Sequence, residues 1–156
     1  MPLEIIFVAM NDYRTACTTN ILTSGGLGPC IALGMLYGSK HHYGRMAHCP
    51  QPAVVLEPLN QFLQDAQKLK KHYANLRLYL AGGCSHGDTA EYYAEGLDAA
   101  TARTYVLERL AASDLLAALR KNWMCADHHC TSDHASELVL DLPDGTASLR
   151  KRTKLR

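Results

Sequence analysis

The residues best suited to covalent chemistry are a cysteine at the end of a glycine-rich turn and a histidine further along the chain. The turn occupies residues 24–30 and reads SGGLGPC, and His48 follows its last residue, Cys30, after eighteen positions. An imidazole can take the proton of a thiol, whose ordinary pKa is about 8.5, and so create a nucleophile. The glycines permit a sharp turn whose N–H groups can hold an oxyanion. This pattern is typical of a cysteine hydrolase, although free cysteines are also common in protein cores.

A second group of thiols and imidazoles lies at residues 125–134, where the sequence reads CADHHCTSDH. Cys125, His128, Cys130 and His134 have the number and chemistry needed for a tetrahedral Zn²⁺ site. Their spacing matches no standard zinc finger, so a polar loop is the favoured interpretation and zinc binding is the alternative. The chemistry expected at Cys30 uses no metal and no cofactor.

Two neighbouring strands are needed to bring Cys30 and His48 together. Residues 31–37 form a short apolar run interrupted by Gly34, which favours a strand over a helix. Residues 40–44 are predicted to form the tip of a hairpin and residues 45–49 its returning strand. Because the strands of a hairpin lie side by side, the thiol and the imidazole are expected within reach of each other.

The other predicted elements follow from apolar periodicity and turn residues. Residues 3–10 are apolar on both sides, which predicts a strand buried in a sheet. Residues 58–73 have helical spacing, with lysines near the end where cations favour the helix dipole. The remaining predictions are a strand at 76–81, a helix at 101–112, a short third helix from 113 to 122, and a hairpin of 137–142 and 146–151.

Length and charge limit the classes of protein to consider. The chain has 156 residues, enough for one domain, and 16 Lys+Arg against 15 Asp+Glu. No global field therefore attracts nucleic acid or anionic lipid. There is no signal-peptide pattern and no run near the ~18 apolar residues of a membrane span. A cytoplasmic protein with free thiols is predicted, export as an effector is the alternative, and the basic residues 150–156 are expected to form a solvated tail.

Two motifs of the chain are informative when they are taken together. Residues 23–33 read TSGGLGPCIAL, and residues 44–50 read GRMAHCP. They resemble the T-x-G-L-G-S-C and G-G-M-A-H runs that the CheD family of chemoreceptor glutamine deamidases carries in this order. The similarity extends weakly over nearly the whole chain, including IFVAM at residues 6–10 and the strand that ends at Gly82 and Gly83.

The resemblance implies a fold and a set of residue roles. The fold is mixed α/β, a layered β-sandwich flanked by helices, in one domain over residues 1–156 with a variable insertion at 113–134. Cys30 falls on the family's nucleophile, His48 on its general base, and Ser24 on the threonine that assists the histidine. Substrate and oxyanion are expected against the backbone of Gly26, Leu27, Gly28 and Gly83.

The implied activity is deamidation of glutamine side chains through a thioester, with a chemoreceptor or another protein as substrate and a regulatory protein as a further partner. Ser24 replaces the family's threonine, Pro29 its serine, and Arg45 its second glycine before Met-Ala-His. These changes bear on the substrate surface and the oxyanion geometry. The alternative is a non-catalytic binding module on the same scaffold.

Overall fold

The computed structural model describes residues 3–27, 30–49, 57–83, 99–124 and 134–153. These residues form nine strands, two α-helices and one short 3-10 helix. In chain order they are β1 (Glu4–Phe7), β2 (Tyr13–Ala16), β3 (Asn20–Thr23), β4 (Ile31–Tyr37), β5 (Tyr43–Cys49), α1 (Glu57–Lys70), β6 (Arg77–Gly82), α2 (Ala99–Ala112), the 3-10 helix (Leu116–Ala118), β7 (Leu119–Met124), β8 (His134–Asp141) and β9 (Thr146–Thr153).

The strands of the described chain are arranged in two mixed sheets. One sheet has five strands in the order β2-β5-β4-β6-β7, and the other has four in the order β1-β3-β8-β9. Pairing is parallel between β1 and β3 and between β6 and β7, and antiparallel elsewhere. The prediction of a mixed α/β protein with helices and layered sheets is therefore confirmed.

β4 is the central strand of the five-stranded sheet, and all seven of its residues are buried. Ile31, Leu33 and Met35 pack with side chains of both helices in one core. Ala32 and Leu36 pack with side chains of the four-stranded sheet in a second core. Because side chains alternate between the faces of a strand, the two cores lie on opposite sides of β4. The molecule thus has three layers, with helices, five-stranded sheet and four-stranded sheet in that order.

The helices predicted at residues 58–73 and 101–112 are both present, as α1 and α2. α1 carries Glu57 in its first turn and Lys70 in its last, which suits the two ends of the helix dipole. Its buried residues are Pro58, Leu59, Phe62, Leu63 and Ala66. α2 buries Ala102, Val106 and Leu110, and its penultimate residue Ala111 is exposed.

The prediction of a third helix at residues 113–122 is wrong. Asp114 has a φ of 57°, in the left-handed region, and Leu115 N donates to Leu110 O at 2.9 Å, which ends α2. After the short 3-10 helix the chain enters β7, which pairs with β6. The alanine- and leucine-rich segment has helical propensity, but hydrogen bonding along the free edge of β6 outweighs it.

β1 is less buried than its composition predicts. It belongs to the four-stranded sheet, which is an outer layer, so one of its faces meets the core between the sheets and the other does not. Val8 is fully buried just after the strand, while Ile5 and Phe7 are exposed. Apolar residues on both sides of a strand are typical of burial on both faces, and here the outer ones remain at the surface.

Arg45, the residue before Met46 on β5, lies on the helix side of the five-stranded sheet. Its Nη1 atom donates to Asp65 Oδ2 of α1 at 2.8 Å, and the hydroxyl of Tyr13 donates to the same oxygen at 2.6 Å. Burial and the Asp65 carboxylate raise the pKa of Tyr13 above its ordinary range. Arg45 is an odd number of residues from His48 on β5, so their side chains occupy opposite faces. Arg45 thus ties α1 to the sheet on the face opposite His48.

Asp65→Asn is expected to lower the free energy of unfolding by about 1–2 kcal/mol, because two charge-assisted hydrogen bonds in a partly buried site lose their charged acceptor. Urea unfolding measures the loss. The matched control is Asp114→Asn, whose carboxylate contacts Lys70 at 3.1 Å but is 97% exposed. It should cost less than about 0.5 kcal/mol, and equal losses for the two variants would contradict this account of Arg45.

Candidate active site

The hairpin of β4 and β5 carries Cys30 and His48 on the same face of the five-stranded sheet. Ala32 lies directly opposite His48 in the antiparallel register, and Cys30 precedes Ala32 by two residues. Side chains two residues apart share a face, so Cys30 is the diagonal neighbour of His48. Cys49 packs in the core beneath the helices, on the other face, as the alternation of a regular strand predicts.

The imidazole of His48 is held by one carbonyl group. Its Nδ1 atom lies 2.9 Å from Val8 O. Because a carbonyl oxygen only accepts, Nδ1 carries the proton, and Nε2 of the neutral ring presents a lone pair. Nε2 is buried and has no hydrogen-bond partner among the residues that the structure describes. A base nitrogen is therefore oriented and left unoccupied.

Burial also sets the protonation state of His48, which is only 4% exposed. Desolvation disfavours the imidazolium and lowers the pKa of His48 from its ordinary 6.5, while the backbone groups of Val8 and Ser24 act in the opposite direction. The ring is thus neutral at neutral pH. In this state it can accept a proton.

The turn after β1 fixes the backbone of His48. Asn11 N donates to His48 O at 2.7 Å, and His48 N donates to Asp12 O at 3.0 Å. The turn is closed by Asp12 N, which donates to Ala9 O at 3.0 Å. One short segment therefore positions both the ring and the main chain of this histidine.

The Cys30 thiol lies at the edge of the core between the sheets. The residue is 9% exposed, and burial raises the pKa of its thiol to about 11. Cys30 and His48 both lie in the described chain, and no hydrogen bond joins their side chains. The resting pair is consequently a neutral thiol beside a neutral imidazole.

The backbone of Cys30 is fixed on both sides. Cys30 N donates to Leu27 O at 2.7 Å, and Gly83 N donates to Cys30 O at 2.9 Å. Gly82 has a φ of 95°, and a β-carbon there would collide with the Cys30 carbonyl oxygen. A residue without a side chain is thus required where β6 passes Cys30.

The hydroxyl of Ser24, the residue expected to assist His48, is engaged elsewhere. Ser24 Oγ donates to Gly25 O at 2.8 Å and accepts from Leu138 N at 2.9 Å. These bonds connect the end of β3 to β8. Ser24 acts on the imidazole through its main chain, which partly offsets the lowering of the His48 pKa by burial.

Among the four residues predicted to surround the oxyanion, Gly26 alone offers a free donor in the described chain. Leu27 N donates to Ser136 O at 2.9 Å, and Gly83 N is occupied by Cys30 O. Gly26 is exposed, and its N–H makes no hydrogen bond to the residues that the structure describes. Gly28 and Pro29 lie outside the described residues. Among the described candidates, Gly26 is accordingly the one whose amide is free to bind a negative charge.

The alternative zinc site falls outside the described part of the chain. Cys125, His128 and Cys130 are not described, and neither is the side chain of His134. Among the described residues, no three His, Cys, Asp or Glu side chains are grouped so that they could hold a metal ion. Zinc binding therefore stays a prediction from the sequence.

Sequence reasoning missed the part that Val8 plays. No sequence pattern links a valine carbonyl to a histidine forty residues away. A main-chain acceptor carries no side-chain signature. Only the contact of Val8, the residue after β1, with His48 of β5 reveals which ring nitrogen is free.

Comparison with protein-family models and with curated proteins gives no match to this chain. None of the helices in the described ranges has the length and apolar character needed to cross a bilayer. On its own evidence the chain is a three-layer α/β protein whose central hairpin places a buried thiol and a neutral imidazole on one face.

Proposed function

We propose that this protein is a cysteine-dependent amidohydrolase that deamidates glutamine side chains of a protein substrate. The observation that carries the proposal is the buried Nε2 lone pair of His48, which has no partner in the described chain and shares a sheet face with Cys30. The resemblance to the CheD family supplies the substrate class, a chemoreceptor in the cytoplasm, with a regulatory protein as a further partner.

The reaction divides into two acyl transfers. As the Cys30 sulfur attacks the carboxamide carbon of glutamine, His48 Nε2 takes the thiol proton, and the carbonyl oxygen becomes an oxyanion that Gly26 N–H can bind. His48 returns the proton to the departing nitrogen, so that ammonia leaves and a thioester remains. Water, deprotonated by the same Nε2, then attacks the thioester, which releases glutamate and restores the thiol.

The protonation states favour a base that acts during attack over a resting ion pair. Burial raises the pKa of Cys30 and lowers that of His48, so each neutral form is stabilised. Desolvation would penalise a thiolate and an imidazolium alike. The proton transfer is then coupled to bond formation, when the developing charge moves onto the substrate oxygen.

A non-catalytic binding module is the second candidate. It is favoured by the raised pKa of Cys30 and by the occupied amides of Leu27 and Gly83, which withhold two expected oxyanion donors. In that case the glycine turn would contact a partner protein without turnover. Ammonia release distinguishes the two candidates.

Ammonia release from a chemoreceptor cytoplasmic fragment and from blocked glutamine peptides is expected for the wild-type protein and is expected to vanish in Cys30→Ser. A serine hydroxyl is much less acidic than a thiol, so His48 cannot activate it comparably. The matched control is Cys17→Ser, which removes an exposed thiol and should retain full activity. Absence of ammonia from wild-type protein with every substrate, or activity that survives in Cys30→Ser, would refute the proposed enzyme.

A further inference from the structure

Four exposed apolar side chains form a row along β1 and the turn that follows it. Leu3, Ile5, Phe7 and Met10 are 60%, 68%, 55% and 60% exposed. Among the described residues, the one other large apolar side chain that is exposed is that of Leu116, on the 3-10 helix, at 47%. The clustering of the four in one segment, here called the β1 row, marks a surface built for contact.

The register of β1 explains why the row faces outward. Ile5 and Phe7 lie opposite Ile21 and Thr23 of β3, while Ile6 and Val8 turn into the core between the sheets. Glu4 N donates to Thr19 O and Val8 N to Thr23 O, so the N–H groups of the even-numbered residues point to β3. The main-chain groups of Ile5 and Phe7 therefore point to the outer edge, where no strand of the described chain pairs.

The β1 row is continuous with the candidate active site. The ring of Phe7 covers Gly25, so closely that a β-carbon on that glycine would collide with it, and Gly26 with its free N–H comes next. Val8 O holds the ring of His48, and Met10 lies in the turn whose ends bond to the His48 backbone. A chain lying along the row would reach the turn that carries Cys30.

The apolar area of the β1 row indicates which kind of partner binds there. Four half-exposed side chains offer on the order of a few hundred Å² of apolar surface. A stable dimer buries roughly 800 Å² on each partner. The area therefore suits a transient partner better than a permanent second copy, and an enzyme's substrate is such a partner. The open strand edge suits an extended segment, which can add main-chain hydrogen bonds to apolar contact.

We propose that the β1 row is the substrate-docking surface, which binds an extended segment of the substrate protein whose apolar side chains flank the reactive glutamine. This inference rests on the proposed deamidase activity and names how its substrate is chosen. Leu3 and Ile5 contact the apolar side chains of the substrate segment. Phe7 contacts the part of the segment that lies next to Gly26. The reacting carboxamide then lies over Cys30.

The test measures ammonia release from two blocked peptides of equal length, each with one central glutamine. One peptide has leucine at alternate positions and the other has serine there. For wild-type protein the leucine peptide is expected to show a KM about tenfold below that of the serine peptide. Leu3→Ser/Ile5→Ser should abolish this difference by raising the KM of the leucine peptide to that of the serine peptide. Leu116→Ser, which removes an exposed apolar residue elsewhere, should leave it intact.

Each outcome bears on the proposal. Equal KM values for the two peptides with wild-type protein, or a preference that survives in Leu3→Ser/Ile5→Ser, would overturn the docking surface while the deamidase stands. Ammonia from neither peptide and from no protein substrate would overturn both. Sedimentation of wild-type protein as a dimer that Leu3→Ser/Ile5→Ser makes monomeric would assign the row to self-association and overturn the substrate role.

Discussion

Replacing His48 with asparagine is expected to lower kcat/KM for ammonia release by roughly 10²–10⁴-fold. The asparagine amide nitrogen can occupy the position of Nδ1 and keep the hydrogen bond to Val8 O, so the variant loses the base and retains the anchor. Steady-state kinetics measures the loss, and thermal unfolding should show a melting temperature close to that of wild type. A variant that keeps more than about a tenth of the activity would remove His48 from the mechanism.

The pH profile of the proposed activity in the wild-type protein provides an independent check on the same residue. Because the pKa of His48 is lowered from 6.5, the base is lost only below that pH, so the acid limb of kcat/KM should lie below 6.5. The Cys30 pKa of about 11 predicts a level profile through the mildly alkaline range. A resting thiolate–imidazolium pair would instead place the acid limb at the thiol pKa and an alkaline limb at the imidazole pKa. His48→Asn should lack the acid limb.

Gly82→Ala is expected to be the most damaging single-methyl change near the site, with a loss of about 2–4 kcal/mol in the free energy of unfolding. The added β-carbon would occupy a left-handed backbone position and collide with Cys30 O, which must move away from its partner Gly83 N. Urea unfolding measures the loss. Alkylation by iodoacetamide should also become faster at Cys30, because displacement exposes the thiol.

Gly83→Ala is the matched control for this change. Its φ of 70° is also left-handed, but a β-carbon there would approach Ile31 Cγ1 at 3.3 Å, a side-chain contact that can relax. A loss of about 1–2 kcal/mol is expected from the backbone alone. If the two alanine variants unfold at the same urea concentration, the close approach of β6 to the nucleophile does not constrain the site.

The sequence predicted those elements that have a strong period or a clear turn. Residues 58–73 show helical spacing, and the structure has α1 at Glu57–Lys70. The turn residues Pro143-Asp144-Gly145 are typical of a hairpin, and the structure has the β8–β9 hairpin there. The prediction from the sequence is wrong at residues 113–122, whose composition favours a helix. There the left-handed conformation of Asp114 and the pairing of β7 with β6 prevent one. Local propensity does not encode which sheet edge is free.

For the site, the sequence supplied the neighbours but not their interactions. The hairpin placed Cys30 and His48 together, since the register of adjacent strands follows from a short connection. The use of the Ser24 hydroxyl by Leu138 and the raised pKa of Cys30 depend on the second sheet, which lies far away in the sequence. Burial and long-range main-chain contacts are set by packing, and no spacing rule reports them.

The complete enclosure of β4 has a consequence for how such a protein can diversify. A strand covered on both faces opens to solvent only when the whole domain unfolds, so its amide protons should be among the slowest to exchange, whereas those of the peripheral β1 should exchange quickly. In the proposed function, the reacting side chains lie beside this buried strand and the docking surface lies at a sheet edge. Mutations along that edge could then change substrate selectivity while Cys30 and His48 stay the same.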